Sequence, residues 1–297
     1  MGYLFLTLAL IVGLIKAYCG KRSSSAITHT SDAITITAVR MILCCAIGAI
    51  LPLAANESLA VASPKFLIIA LVCGVFSACF VVLWLLSVRN AMYMMVEVFV
   101  AGGVIIPLIL CNVLYGEPIG LLDAIGVLLL LVGIYCMSKG EKSKKEKWSF
   151  KGILLLILTA ISSGTADFAQ KIYTNEFPKE SSLVFNFYVY VFATAVLLIA
   201  ALIVKVKSEE SKRTAVSVVK PIFGYVAIMA VCLFLNSYFK TIAATHLDAV
   251  VLYPANQGLA IILSTLMATT LFKEKIGKNA AVGIALTLAA IILINIS

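Results

Sequence analysis

Apolar residues fall in ten long blocks separated by brief polar stretches. Within a few residues at each end, the blocks cover 2–18, 33–54, 66–87, 91–115, 119–138, 152–172, 182–204, 222–243, 248–272 and 279–296. A helix that crosses hydrocarbon needs about 20 mostly apolar residues, so each block predicts a membrane span. The blocks are too long and too little alternating for barrel strands. Helices also satisfy their backbone hydrogen bonds within the segment, as a bilayer requires. Short punctuators such as Asn56-Glu57-Ser58, Gly116-Glu117-Pro118 and Phe177-Pro178-Lys179-Glu180 divide the blocks. The longest polar stretches, 139–151 and 205–220, leave no room for a soluble domain. The first block lacks a basic leader, and Lys16 stands where a cleavage site would need small residues. It is read as a retained span.

The pattern repeats. Leu114-Tyr115-Gly116-Glu117-Pro118-Ile119-Gly120 matches Leu271-Phe272-Lys273-Glu274-Lys275-Ile276-Gly277, and Gly126 falls on Gly283. Nearer the start, Gly2 falls on Gly152, Leu4 on Leu154, Lys21 on Lys171 and Ser31 on Ser181. The spacing differs between the two sets because the 205–220 linker is longer than its counterpart. The expected organisation is a first five-helix repeat over 1–140, a basic linker over 141–150 and a second repeat over 151–297. An odd number of spans per half makes the second half enter the membrane from the opposite side. The fold class expected is therefore an all-α polytopic membrane protein, with ten transmembrane helices as two inverted five-helix repeats. Such repeats characterise secondary transporters, whose substrate site lies between the halves.

Composition agrees. Hydrophobic residues make up 62% of the chain and charged residues 12%, and the mean hydropathy is +1.09. A soluble chain could not hide so much apolar surface, and a disordered one would not contain it. The net charge of +9 does not imply a nucleic-acid partner, because basic residues collect in cytoplasmic loops of membrane proteins. Eighteen Lys and Arg fall in loops after odd-numbered spans. Only Lys65, Lys171, Lys179 and Lys240 fall in loops after even-numbered ones. This split predicts odd loops in the cytoplasm and both termini outside. The eight cysteines lie mostly in apolar runs without CxxC pairing, and only two histidines exist. Neither a metal site nor a disulfide framework is expected. No GxxxxGK[ST] stretch is present, so no cofactor or ATP coupling is expected within the chain.

The apolar-Glu turns after spans four and nine, with Gly126, Gly133 and Gly283 in the helices that follow, resemble the drug/metabolite transporter superfamily. The EamA-type ten-helix branch is the nearest likeness. Val39-Arg40-Met41 resembles the branch's arginine near the start of span two, and Tyr253-Pro254 its proline in span nine. The likeness covers the whole chain, with short motifs that identify a superfamily and not a substrate. Two features depart from it. Val12-Gly13 stands where a Trp-Gly pair is common, and the loop charges put outside the termini that the family usually keeps in the cytoplasm.

Polar groups inside spans are expensive and mark interior or wet surfaces. Glu97, Asp167 and Arg40 are the charged residues most clearly embedded. Glu97 reads either as a proton-coupling or cation-binding carboxylate, or as half of a structural ion pair with Arg40 or a carboxylate reaching interfacial water. Asp167 shares a helix face with Gln170, or lies nearer the surface. In span nine, Tyr253, Asn256 and Gln257 flank Pro254 and Gly258. In span four, Gly102, Gly103 and Pro107 follow Glu97. Helix breaks at matching places in both halves would point to a transport site; helix packing is the plainer reading. Asn236, Tyr238, Asn186, Tyr188 and Tyr190 rank second. Trp84 and Tyr93 read as packing aromatics, Lys16 as a snorkelling end residue, and Glu117 and Glu274 as helix-start caps.

The expected function is secondary transport of a small organic molecule (a metabolite, amino acid or drug), with export the expected direction and proton coupling open. A lipid-linked sugar flippase of the same architecture is the alternative, and an embedded enzyme or a pore ranks lower. The partners expected are the substrate and the bilayer of the cell membrane. A monomer suffices, and a dimer is equally compatible.

Overall fold

The computed structural model describes residues 1–60, 63–91, 93–117, 119–140, 150–207, 215–273 and 276–296. Among them every regular element is helical: α1 (Gly2–Ser23), α2 (Thr30–Ala54), α3 (Pro64–Asn90), α4 (Tyr93–Gly102), α5 (Ile105–Tyr115), α6 (Leu121–Gly140), α7 (Phe150–Glu176), α8 (Ser182–Lys207), the short α9 (Ala215–Val219), α10 (Phe223–His246), α11 (Ala249–Thr270) and α12 (Lys278–Ile296), with two 3₁₀ turns at Ser24–Ala26 and Lys220–Ile222. Eight segments are long and apolar enough to cross a membrane, α4 and α5 counting together. Shorter apolar stretches in α6 (Leu121–Gly133) and α12 (Ala281–Ile294) complete ten. Large aliphatic side chains such as Ile50, Leu53, Ile68, Leu128, Ile199 and Leu202 stand exposed. In a multi-pass membrane protein that is the lipid-facing surface. Glu274 and most of the basic linker, 141–149, lie outside the described residues.

Local chemistry sets the helix ends. His29 caps α2 while the Asp32 carboxylate accepts the His29 and Thr28 backbone N–H groups at 3.0 and 2.8 Å, a reciprocal capping box. Pro64 opens α3 at the first helical position, where its missing N–H costs nothing. Gly116 ends α5 with φ of 66°, the left-handed conformation that glycine adopts without a Cβ penalty.

The helices pair chiefly across the two halves. The most extensive contacts join α6 with α12, α1 with α10, α3 with α7 and α2 with α8, and α11 packs on α4 and α5. By span, these pairs are fifth–tenth, first–eighth, third–sixth, second–seventh and fourth–ninth. Exchanging the halves turns first–eighth into sixth–third and returns each of the other pairs to itself. That is the pattern of a pseudo-two-fold axis between two inverted repeats. The halves are thus interlocked along their length, and any cavity at the axis is walled by both.

The expected pair of helix breaks is only half present. The fourth span breaks at Gly103–Val104, between α4 and α5. Pro107 has no N–H to offer the Gly103 carbonyl four residues back, which accepts from Ile106 N at 3.1 Å instead. The ninth span is different: α11 runs unbroken through Pro254 and Gly258. The carbonyl that Pro254 leaves free is that of Val250, the second residue of the helix, so the loss falls in the first turn and not mid-helix. Gly258 packs against Ile291 of α12, which leaves no space for a larger side chain.

Candidate functional site

A cavity of about 180 Å³ lies between the halves, walled by α1, α2, α3, α4, α7, α8, α10 and α11. Its charged lining residues are Lys16, Arg40, Glu97, Asp167 and Lys240. Of the residues singled out from sequence, Arg40, Glu97, Asp167, Asn236, Asn256 and Gln257 line it. Arg40 sits mid-helix in α2, well away from either end, and is buried.

The arrangement of charges differs from the one expected. Glu97 and Arg40 do not form an ion pair. Glu97 Oε1 instead accepts a hydrogen bond from the Trp84 indole at 3.0 Å, with Lys16 and Tyr93 nearby. Asp167 is ion-paired with Lys240 across α7 and α10. Arg40 offers Nη1 to the Met229 sulfur at 3.5 Å, a weak acceptor, while its Nε and Nη2 are buried without a hydrogen-bond partner among the described residues. Lys16 reaches Asn236 Oδ1 at 3.4 Å, and Asn236 in turn donates to the Ala9 carbonyl at 2.7 Å. Asn256 and Gln257 face the cavity from α11, and neither amide makes a hydrogen bond among the described residues.

Several sequence assignments change. Lys16 does not snorkel. The helix α1 continues to Ser23, beyond the expected end of the first span, so Lys16 is carried inward to the cavity. Lys171 and Lys240, assigned to loops, are both inside the protein: Lys171 is buried and Lys240 lines the cavity. Trp84, assigned to packing, is the partner of Glu97. Gln170 stays outside the cavity; its amide donates to Thr241 Oγ1 at 2.5 Å and to the Ser237 carbonyl at 3.2 Å, fixing α7 to α10. Tyr253 is also outside the lining, and its hydroxyl donates to the Asp167 carbonyl at 2.7 Å. Gly103 lies against the Ala160 backbone of α7, and neither Gly102, Gly103, Pro254 nor Gly258 lines the cavity. Their contribution is to helix approach. No local signal in the sequence could have assigned Lys16, Trp84 or Lys240, because their partners lie on other helices.

A second charged cluster closes one end of the molecule. Lys171 Nζ stands 3.6 Å from Glu117 and donates to the Leu247 and Ala244 carbonyls at 2.9 and 3.3 Å, at the C-terminus of α10. Glu117 accepts the Ala249 N–H at 2.9 Å, at the start of α11. The carboxylate meets the positive end of one helix dipole and the ammonium meets the negative end of another. Glu117 was expected as a helix-start cap; the helix it caps belongs to the other half of the molecule. Glu57 and Ser181, and Lys65 and Glu176 at 2.6 Å, link the halves at the same end.

Comparison with known proteins follows this geometry. A solved crystal structure of a protein superposes with a TM-score of 0.69 at 15% sequence identity, covering 98% of this chain and 95% of that one. At that identity the likeness concerns the fold. No curated protein matches the sequence. The model of the EamA-like transporter family matches residues 2–139 and again 150–296, nearly the whole chain in two copies, and the chain belongs to that family of membrane transporters.

Proposed function

We propose that the protein is a secondary transporter that exports a small organic molecule across the plasma membrane by alternating access of its two halves, with the central cavity as substrate site. The observation that carries this reading is the cavity itself: both halves wall it, and five charged side chains line it. At about 180 Å³ it suits a metabolite-sized molecule better than a lipid-linked sugar. Glu97 is the proton-coupling group in this reading. Asp167 is tied into an ion pair, whereas Glu97 is held by the Trp84 indole, with Tyr93 and Lys16 nearby, and can change protonation without breaking a salt bridge among the described residues. The odd loops face the cytoplasm. With Lys16, Lys171 and Lys240 placed inside the protein, seventeen basic residues remain in the odd loops against Lys65 and Lys179 in the even ones.

The test is mass-spectrometric profiling of the medium of cells that overproduce the protein, with and without a protonophore. The expected result is enrichment of one or a few small molecules that the protonophore abolishes, and loss of that sensitivity in Glu97→Gln. Enrichment that ignores the protonophore in the wild type removes the coupling role. Depletion of a solute from the medium reverses the direction.

A further inference from the structure

We infer that the cavity takes a monoanionic molecule whose carboxylate docks on the Nε and Nη2 edge of Arg40 and whose body is apolar. This names the substrate class of the transport site above and rests on that reading. Nε and Nη2 form one side of the planar guanidinium, the fork that matches the two oxygens of a carboxylate. Both are buried, and neither has a hydrogen-bond partner among the described residues. A buried cation with unmet donors is strongly unfavourable. Arg40 lines the cavity, so a turn of its side chain brings this edge to an occupant that supplies the missing acceptor.

The charges around the cavity agree. Lys16, Arg40 and Lys240 face Glu97 and Asp167, an excess of one positive charge. Lys240 is already matched by Asp167, and Glu97 is engaged by Trp84. The Glu97 carboxylate acts on Lys16, so the uncompensated charge sits with Arg40, which also repels Lys16. One carboxylate balances it. A phosphate monoester, with nearly two charges, would leave one unmatched in a low-dielectric site. Around these polar groups, Leu14, Phe80, Val81, Leu233, Ala260 and Leu263 offer an apolar wall. The free amides of Asn256 and Gln257 remain for a further polar group on the occupant.

The test uses the purified full chain in nanodiscs and four probes on one ring: cyclohexanecarboxylate, its amide, cyclohexylamine and cyclohexyl phosphate. A ligand that binds the native state raises the melting temperature. The expected result is a saturable rise with the carboxylate alone. Arg40→Lys keeps the charge and loses the fork, so its affinity for the carboxylate falls about tenfold, as for one lost charged hydrogen bond. Equal stabilisation by the amide or amine, a stronger response to the phosphate, or no response to the carboxylate overturns the inference. The wild-type comparison decides this without any variant, so misfolding of an Arg40 variant leaves the result intact. Sealed proteoliposomes separate the two readings. Flux of an uncharged or cationic solute without carboxylate binding leaves transport standing and removes the carboxylate. Saturable carboxylate binding without flux of any solute keeps the ligand class and removes transport.

Discussion

Asp167 and Lys240 show how a charge is tolerated inside the bundle. The Asp167 side chain is 7% exposed and that of Lys240 18%, and each is the other's counter-ion. Removing one partner leaves an unpaired charge beside the cavity, which costs about 3 kcal/mol where water is scarce. Asp167→Asn is therefore expected to melt well below the wild type in detergent, and Asp167→Asn combined with Lys240→Met to recover part of the loss. Equal melting of the single and double variants would show that the pair is solvated. The identity of such residues is legible in sequence, since a charge in an apolar run is conspicuous. The partner is not. Trp84 and Glu97 meet across α3 and α4, and Lys16 meets Asn236 across the two halves, so neither pairing leaves a trace in local spacing.

Among the elements, the α6–α12 seam is the most extensive helix pairing. A Cβ on Gly133 would stand 2.5 Å from Thr287 Oγ1 and 2.9 Å from the Gly283 carbonyl, so the helices meet where only glycine fits. Small residues that let backbones approach are the usual basis of helix association in lipid. Gly133→Leu forces the seam apart at an expected cost of about 1–3 kcal/mol. Gly152→Ala, at an open position near the start of α7, is expected to be neutral or stabilising by up to about 1 kcal/mol. Thermal unfolding of the two variants side by side checks both, and equal behaviour would mean that the seam yields without cost. Span existence was legible from hydropathy, and the paired glycines of the repeat, Gly126 and Gly283, lie on this seam. Helix continuity was less legible. Pro107 breaks the fourth span because Gly103 loses its bond mid-helix, whereas Pro254 falls near a helix start and leaves α11 whole.

On the scale of the whole molecule, the two halves are tied together by charged groups at one end. The Glu117–Lys171 pair, the Lys65–Glu176 pair and the Glu57–Ser181 hydrogen bond all join the two halves at the end where the even loops lie. Among the described residues, aromatic contacts join the halves at the opposite end, Tyr18 stacked on Phe272 and Tyr93 edge-on to Phe272. The loop charges carry the proposal that the odd loops face the cytoplasm. With the odd loops inside, a C-terminal fusion is expected to give activity with alkaline phosphatase and no fluorescence with a reporter that folds only in the cytoplasm. The reverse pair of results would turn the molecule over and place the charged clasp inside.

The amino-acid sequence by itself determined the number of spans, their helical form, the two repeats and the class of protein. Those follow from free energies that act residue by residue: apolar length against bilayer thickness, and backbone groups that lipid leaves no choice but to pair internally. The tertiary structure decided which side of each helix turns inward, which charges neutralise each other, and which helix a cap belongs to. Span sequences are apolar nearly all round, so local pattern does not reveal the inner face. Glu117 on Ala249 joins the two halves, and Lys171 on Leu247 and Lys240 on Asp167 join separate spans of the second half; these residues are 73 to 132 positions apart in the chain, and the contacts exist only once the helices have packed.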